Sequence, residues 1–242
     1  MRPILIRLRR LALWGLLVLL VGPFLMILPL NLVQPFTTSV MIWRSVQRLS
    51  EGKRPVYPKR DVVSHQQISP YLHRAVLASE DDRFFLHEGF DFEELEKAIE
   101  ASKRGKKLRG ASTITQQVAK NLFLWEGRSF VRKGLEAWLT IVLELCLSKD
   151  RILDLYLNMA EWGDGIFGAA MAAQTYYHKP AARLTREESA RLAAILPSPR
   201  RWSPSGGIAS RRAEIILRRL QYAAPREEEA TPQQPARGTR PS

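Results

Sequence analysis

Hydrophobic and polar positions divide this chain into regimes. From Leu11 to Val33 no charged residue occurs for 23 positions, enough for a helix to cross roughly 30 Å of hydrocarbon. From about Asp61 to Ala223 apolar residues recur at helical spacing, and no stretch sustains the alternation of a strand. Residues 224–242 are rich in Pro, Gln, Glu and Arg and predict a disordered tail. Residues 34–60 join the first two regimes, and Pro35, Gly52, Pro55 and Pro58 argue against one long helix there. The pattern predicts a 1–10 N-terminus, an 11–33 transmembrane helix, a 34–60 juxtamembrane connector, a nearly all-helical 61–223 domain and the tail.

Helix boundaries are marked by chemistry. Ser69-Pro70 reads as a cap and first-turn pair. Asp91 and Ser148 are further caps, Thr113 with Gln116 and Thr185 with Glu188 have capping-box spacing, and Ile208 to Tyr222 has helical spacing. Arg2, Arg7, Arg9 and Arg10 precede the apolar run, and the next cation is Arg44. That asymmetry predicts a cytoplasmic N-terminus and a domain across the membrane. Pro23 and Pro29 bend the span at most. A cleaved signal peptide is the rival reading; it wants a small-residue site of the A-x-A kind. No alanine occurs between Leu13 and Arg74, so a retained anchor is expected. Trp43 and Arg44 are expected at the membrane interface.

Composition narrows the partners. The chain has 242 residues, 45% of them hydrophobic, and a net charge of +13. Such charge attracts anions such as lipid headgroups, phosphates or nucleic acid. The basic loop from Ser102 to Arg109 is not interleaved with aromatic residues, as a nucleic-acid stacking platform would need, and nucleic acid conflicts with the expected extracytoplasmic side. Cys146, the one cysteine, is expected to pack as a small hydrophobe. His65, His73, His87 and His178 show no metal-ligand spacing.

Candidate chemistry begins at Ala78 to Gly89, where acidic, aromatic and imidazole groups crowd together. Glu80 and Phe84 are four apart, so a continuing helix would put them on one face. A carboxylate beside aromatic bulk is partly desolvated, which raises its pKa toward the range of a general base. From Gly110 to Asn121 a glycine precedes a capped helix whose Gln116, Gln117 and Lys120 offer amides for sugar hydroxyls and an ammonium for phosphate. Next, Arg132 and Lys133 both reach toward Glu136 on a helix that turns apolar from Ala137 to Leu147. In Lys149 to Asn158, Ile152, Leu153, Leu155 and Tyr156 read as packing and Asn158 as a backbone clasp. Each block alone also fits an ordinary capped helix or a solvated surface.

Together the blocks resemble the family 51 peptidoglycan glycosyltransferases. Glu80-Asp81-x-x-Phe84-Phe85-x-His87-x-Gly89 looks like the family's first motif. Gly110-x-Ser112-Thr113-Ile114-Thr115-Gln116-Gln117-x-x-Lys120-Asn121 looks like the second, and Arg132-Lys133-x-x-Glu136 like the third. Lys149-x-x-Ile152-Leu153-x-x-Tyr156-Leu157-Asn158 looks like the fourth, and the stretch from Ala172 through Tyr176, Tyr177, Lys179 and Pro180 to Pro197 like the last. Five motifs in order over about Ser69 to Pro204 are very specific. A single span with one such domain resembles the family's monofunctional members. Ala111 replaces a frequent second glycine, and Asp154 a more usual glutamate.

The resemblance implies a bilobed, lysozyme-like, all-α glycosyltransferase domain over 61–223, resting on the membrane. Its implied substrates are lipid II and the growing lipid-linked glycan, met at the lipid bilayer. Displacing a diphosphate needs cations at the leaving group; Lys120, Arg128, Arg132 and Lys133 are the candidates. Mg or Mn could share that task, though no metal motif is visible. Glu80 is the expected base on the acceptor 4-hydroxyl. Glu136 is by resemblance the second essential carboxylate. Gly110, Ser112, Thr113, Gln116, Gln117 and Asn121 are expected around sugar or phosphate oxygens, with Asp81, Phe84 and His87 shaping the Glu80 site. The implied location is a bacterial inner membrane with a periplasmic domain, where other cell-wall synthesis and division proteins could be partners. Two alternatives remain: a lysozyme-like lytic enzyme, which would not need the cation cluster, and an inactive membrane-anchored scaffold.

Overall fold

The computed structural model describes residues 2–55, 61–105, 112–127 and 129–222. Gly110, Ala111, Arg128, residues 106–109 of the basic loop and the tail lie outside these residues. The first helix, α1, runs Arg2–Ile27 and continues as a 3-10 turn over Leu28–Asn31. It begins earlier than the uncharged run, because the arginines continue the same helix. Pro23 lies inside it, and Pro29 falls in the turn. Ile6–Asn31 is long and apolar enough to cross a membrane, and most of its side chains face outward, Ile27 and Leu30 being buried against the domain.

The presumed connector holds a second helix, α2, over Ser39–Ser50. The Thr38 hydroxyl caps it by accepting from the Met41 amide at 3.2 Å. Pro35 and Gly52 bracket this helix rather than forbidding it. The domain continues with α3 (Pro70–Glu80), α4 (Phe92–Lys103), α5 (Ile114–Phe123), α6 (Phe130–Cys146) and α7 (Lys149–Met159). A short antiparallel pair, β1 (Glu161–Gly163) and β2 (Ile166–Phe167), follows; no alternating pattern announced it. Then come α8 (Ala169–Tyr177), α9 (Arg186–Ile195) and α10 (Gly207–Tyr222). The capping boxes at Thr113 and Thr185 and the caps at Asp91 and Ser148 form as expected. Ser69 differs: its hydroxyl donates to the Leu184 carbonyl at 2.8 Å, leaving Pro70 to open α3.

Two packing groups make up the domain. One sets α3 against α9 and α10, the other α5 against α6 and α7. The all-α, two-part architecture agrees with the expected fold class. The helix of Glu80 does not continue to Phe84. It stops at Asp81, whose backbone is extended and whose carboxylate accepts the Ile114 amide at 2.9 Å, at the start of α5. Phe84 is fully buried, with the Lys149 ammonium 4.5 Å from its ring centroid. Gly89, at φ +83°, lies so close to α6 that a Cβ would stand 2.6 Å from Thr140 Cγ2. Its carbonyl accepts the Thr113 hydroxyl at 2.7 Å. The acidic segment is thus stitched to the start of α5.

The apolar N-terminal helix and the residues just after it are clipped to α6 and α7. Trp138 Nε1 donates to the Leu19 carbonyl at 3.0 Å, and Asn31 Nδ2 to the Cys146 carbonyl at 2.9 Å. Arg151 donates to the carbonyls of Leu30 and Val33 at 2.6 and 2.8 Å.

Candidate active site

Two cavities meet at Ser112, between the packing groups. The smaller, about 310 Å³, is lined by Glu80, Asp81 and Asp82, with Asp91 and Glu94 from the far side. The larger, about 740 Å³, is lined by Gln116, Gln117, Lys120 and Asn121 of α5 and Arg132, Lys133 and Glu136 of α6. Leu196, Pro197 and Pro199, beyond α9, form part of its wall.

Glu80 ends α3, partly buried. Gln117 Nε2 donates to its Oε2 at 3.1 Å, and Ser79 Oγ lies 3.3 Å from its Oε1. Burial pushes the Glu80 carboxyl above the ordinary glutamate value, while the Gln117 hydrogen bond and the charges of Arg212 and Lys120 pull it partly back. Tyr156 Oη donates to Gln117 Oε1 at 3.3 Å, which turns the amide nitrogen toward Glu80. Burial first, then the charges of Glu80 and Asp81, hold the Tyr156 phenol well above its ordinary value, so it keeps its proton.

The larger cavity carries the cations. Glu136 is buried and accepts from Arg132 Nη1 at 2.7 Å and from the Lys133 ammonium. Arg132 keeps its Nε buried and without a hydrogen-bond partner. Among the described residues Lys120 makes no ion pair; burial lowers its pKa, and nearby Glu136 opposes that shift. A buried unpaired donor and a desolvated ammonium suit an incoming anion.

The remaining expected site residues divide by role. Ser112 lines both cavities, and Asn121 the larger. Thr113 and Gln116 cap α5, with the Gln116 side-chain oxygen accepting the Thr113 amide at 3.1 Å. Asp81 Oδ1 is 2.9 Å from His87 Nε2, so this pair braces Glu80 from behind. Phe84 lies in the core below. Sequence reasoning missed Tyr156 as a contact of Gln117, and it missed Arg44. Arg44 lines the larger cavity from α2, bonding Glu126 at 2.7 Å and Glu161 at 3.1 Å. Partners so distant along the chain leave no local spacing to read.

In the larger cavity Glu126, Glu136 and Glu161 are all paired with Arg or Lys. Among the described residues this cavity therefore offers no unpaired carboxylate to a divalent ion.

Comparison with known proteins decides the family. The family model described as Transglycosylase matches residues 47–221. The chain belongs to the transglycosylase family. Among its relatives is the biosynthetic peptidoglycan transglycosylase of Pseudomonas entomophila strain L48, 46% identical over 222 residues, covering 90% of this chain and 92% of the relative. The proteins of the same name from Escherichia coli strain ATCC 8739 and Shigella boydii serotype 4 are each 52% identical over 191 residues, covering 77% of this chain and 78% of each relative. In this transglycosylase the matched region covers the smaller cavity and all of the larger one except Val40 and Arg44.

Proposed function

We propose that this transglycosylase polymerises lipid II into β-1,4-linked glycan, with Glu80 as the general base. The observation that carries the reading is the junction, at Ser112 and Gln117, of a desolvated carboxylate with a cation-lined cavity. Glu80 takes the proton from the acceptor's 4-hydroxyl. That oxygen attacks the anomeric carbon of the growing strand, the bond to the diphosphate oxygen breaks, and the anomeric centre inverts. Polyprenyl diphosphate leaves with the bonding electron pair. Lys120, Arg132 and Lys133 face the charge that develops there, with Glu136 orienting the last two. Arg128 would join them. Ser112, Gln117 and Asn121 hold sugar or phosphate oxygens, while Asp81, Phe84, His87, Thr113 and Gln116 set the frame. If Mg or Mn takes part, it enters with the diphosphate, because the carboxylates of the larger cavity are already paired. The anchor supports action at the bilayer surface, with the N-terminus cytoplasmic and the domain periplasmic. A lytic enzyme has no leaving diphosphate and would leave the Arg132 Nε and Lys120 cations without a purpose.

Arg132→Ala is expected to cut lipid II turnover at least tenfold, since a charge-assisted contact to phosphate is lost. Unchanged steady-state kinetics with labelled lipid II would reduce the cluster to an internal salt bridge.

A further inference from the structure

Where the connector enters the domain, three side chains converge from three segments. His65 lies in the 3-10 turn His65–Gln67, His73 on α3 and Asp154 on α7. One ring nitrogen of each histidine and one carboxylate oxygen lie within 4.8 Å of one another. His65 Nδ1 is already 2.7 Å from Asp154 Oδ1, and the two imidazole centroids are 4.1 Å apart.

His73 supplies an independent sign of a ligand. Its Nδ1 lies 3.1 Å from the Ser69 carbonyl oxygen, which can only accept. Nδ1 therefore carries the proton, and Nε2 presents a bare lone pair. That Nε2 is buried without any hydrogen-bond partner, on a residue only 6% exposed. Leaving a buried acceptor unsatisfied is costly, and a cation would satisfy it. A proton on one nitrogen given to a carbonyl, with the other free, is also the arrangement that orients metal-bound histidines.

We propose that His65, His73 and Asp154 form a binding site for a divalent transition metal of the zinc class. Two imidazoles and one carboxylate suit zinc, whereas Mg and Ca prefer oxygen ligands. Tetrahedral zinc sets its ligand atoms roughly 3.3 Å apart, so the three groups need only modest adjustment. His65 can supply it, because its side chain is 46% exposed, and that side is also the entry path. Water would fill the fourth position. No motif spacing announced the site, since its ligands come from separate elements. The similar trio Asp81, His87 and Asp91 is different, because Arg83 Nε stands 3.3 Å from Asp91 and the Ile114 amide holds Asp81.

The site's role is that of a staple. Asn158 already clasps the incoming strand of chain, accepting from the Val63 amide and donating to the Val63 carbonyl, each at 3.0 Å. A metal would tie the next turn to α3 about two helical turns before Glu80. The proposal stands independently of the catalytic reading.

The test uses the full chain in detergent, stripped with a chelator and titrated with zinc alone by calorimetry and thermal unfolding. One equivalent should bind at micromolar or lower Kd, and saturating zinc should raise Tm by about 5 °C or more. His65→Gln and Asp154→Asn, both at partly exposed positions, should each weaken binding about tenfold or more and remove most of the Tm shift, while Glu80→Gln binds zinc normally. No binding at 100-fold above micromolar zinc, binding that survives both ligand variants, or binding lost in Glu80→Gln would each overturn the proposal.

Discussion

Tyr156 makes a contact in the fold that its place in the sequence does not announce. Along the chain it reads as one more apolar position of α7, and a phenylalanine would fit the same spacing. In the fold its hydroxyl fixes the Gln117 amide, and that amide holds Glu80. Tyr156→Phe is therefore expected to lower kcat about fivefold to tenfold, the scale of one lost hydrogen bond near 1 kcal/mol, with little change in KM. Because the Gln117 bond favours the charged carboxylate, loosening it should also move the acid limb of the pH–rate profile upward. An unchanged kcat and pH profile would make Tyr156 a packing residue only. Glu80 itself stood out as a candidate, because acidic, aromatic and imidazole residues crowd the stretch from Ala78 to Gly89. Arg44 did not, since its partners Glu126 and Glu161 lie far along the chain.

At the scale of elements, caps were the reliable signals. Thr113, Ser148 and Thr185 begin helices because each side chain satisfies an amide otherwise left open. One expectation failed for a tertiary reason. The helix of Glu80 stops where the Asp81 carboxylate turns to the Ile114 amide instead of continuing to Phe84. In the connector, α2 fits between Pro35 and Gly52, and Ser39 at its start donates to the carbonyls of Asn121 and Leu124, contacts no local pattern reveals. The α3 helix also carries a pH-dependent cost. Burial first, and then the neighbouring His65, hold His73 down to about 4 from an ordinary value of 6.5, with the hydrogen bond to the Ser69 carbonyl and the charge of Asp150 opposing. Between those values the unfolded chain binds the proton and the folded chain does not. Stability is therefore fully present above about pH 6.5 and falls toward pH 4, by up to about 3 kcal/mol from this group. Thermal unfolding of chelated protein should show a lower Tm at pH 4.5 than at 7.5. The part due to this histidine should shrink in His73→Gln; an equal pH effect in that variant would contradict the assignment.

At the scale of the molecule, the anchor and the catalytic domain form one connected structure. Trp138, Asn31 and Arg151 bind backbone carbonyls across the junction. Phe130 and Val131, at the start of α6, are left exposed. A lipid-linked substrate and a helix that can cross the membrane thus belong to the same account. The most direct test resolves the products of labelled lipid II incubated with the full chain in detergent, beside Glu80→Gln. Wild type should yield polymeric glycan and release polyprenyl diphosphate, and the folded variant should be slower by roughly 10²-fold or more. Near-wild-type polymerisation by Glu80→Gln, or soluble fragments cut from finished glycan with no polymer made, would contradict the account.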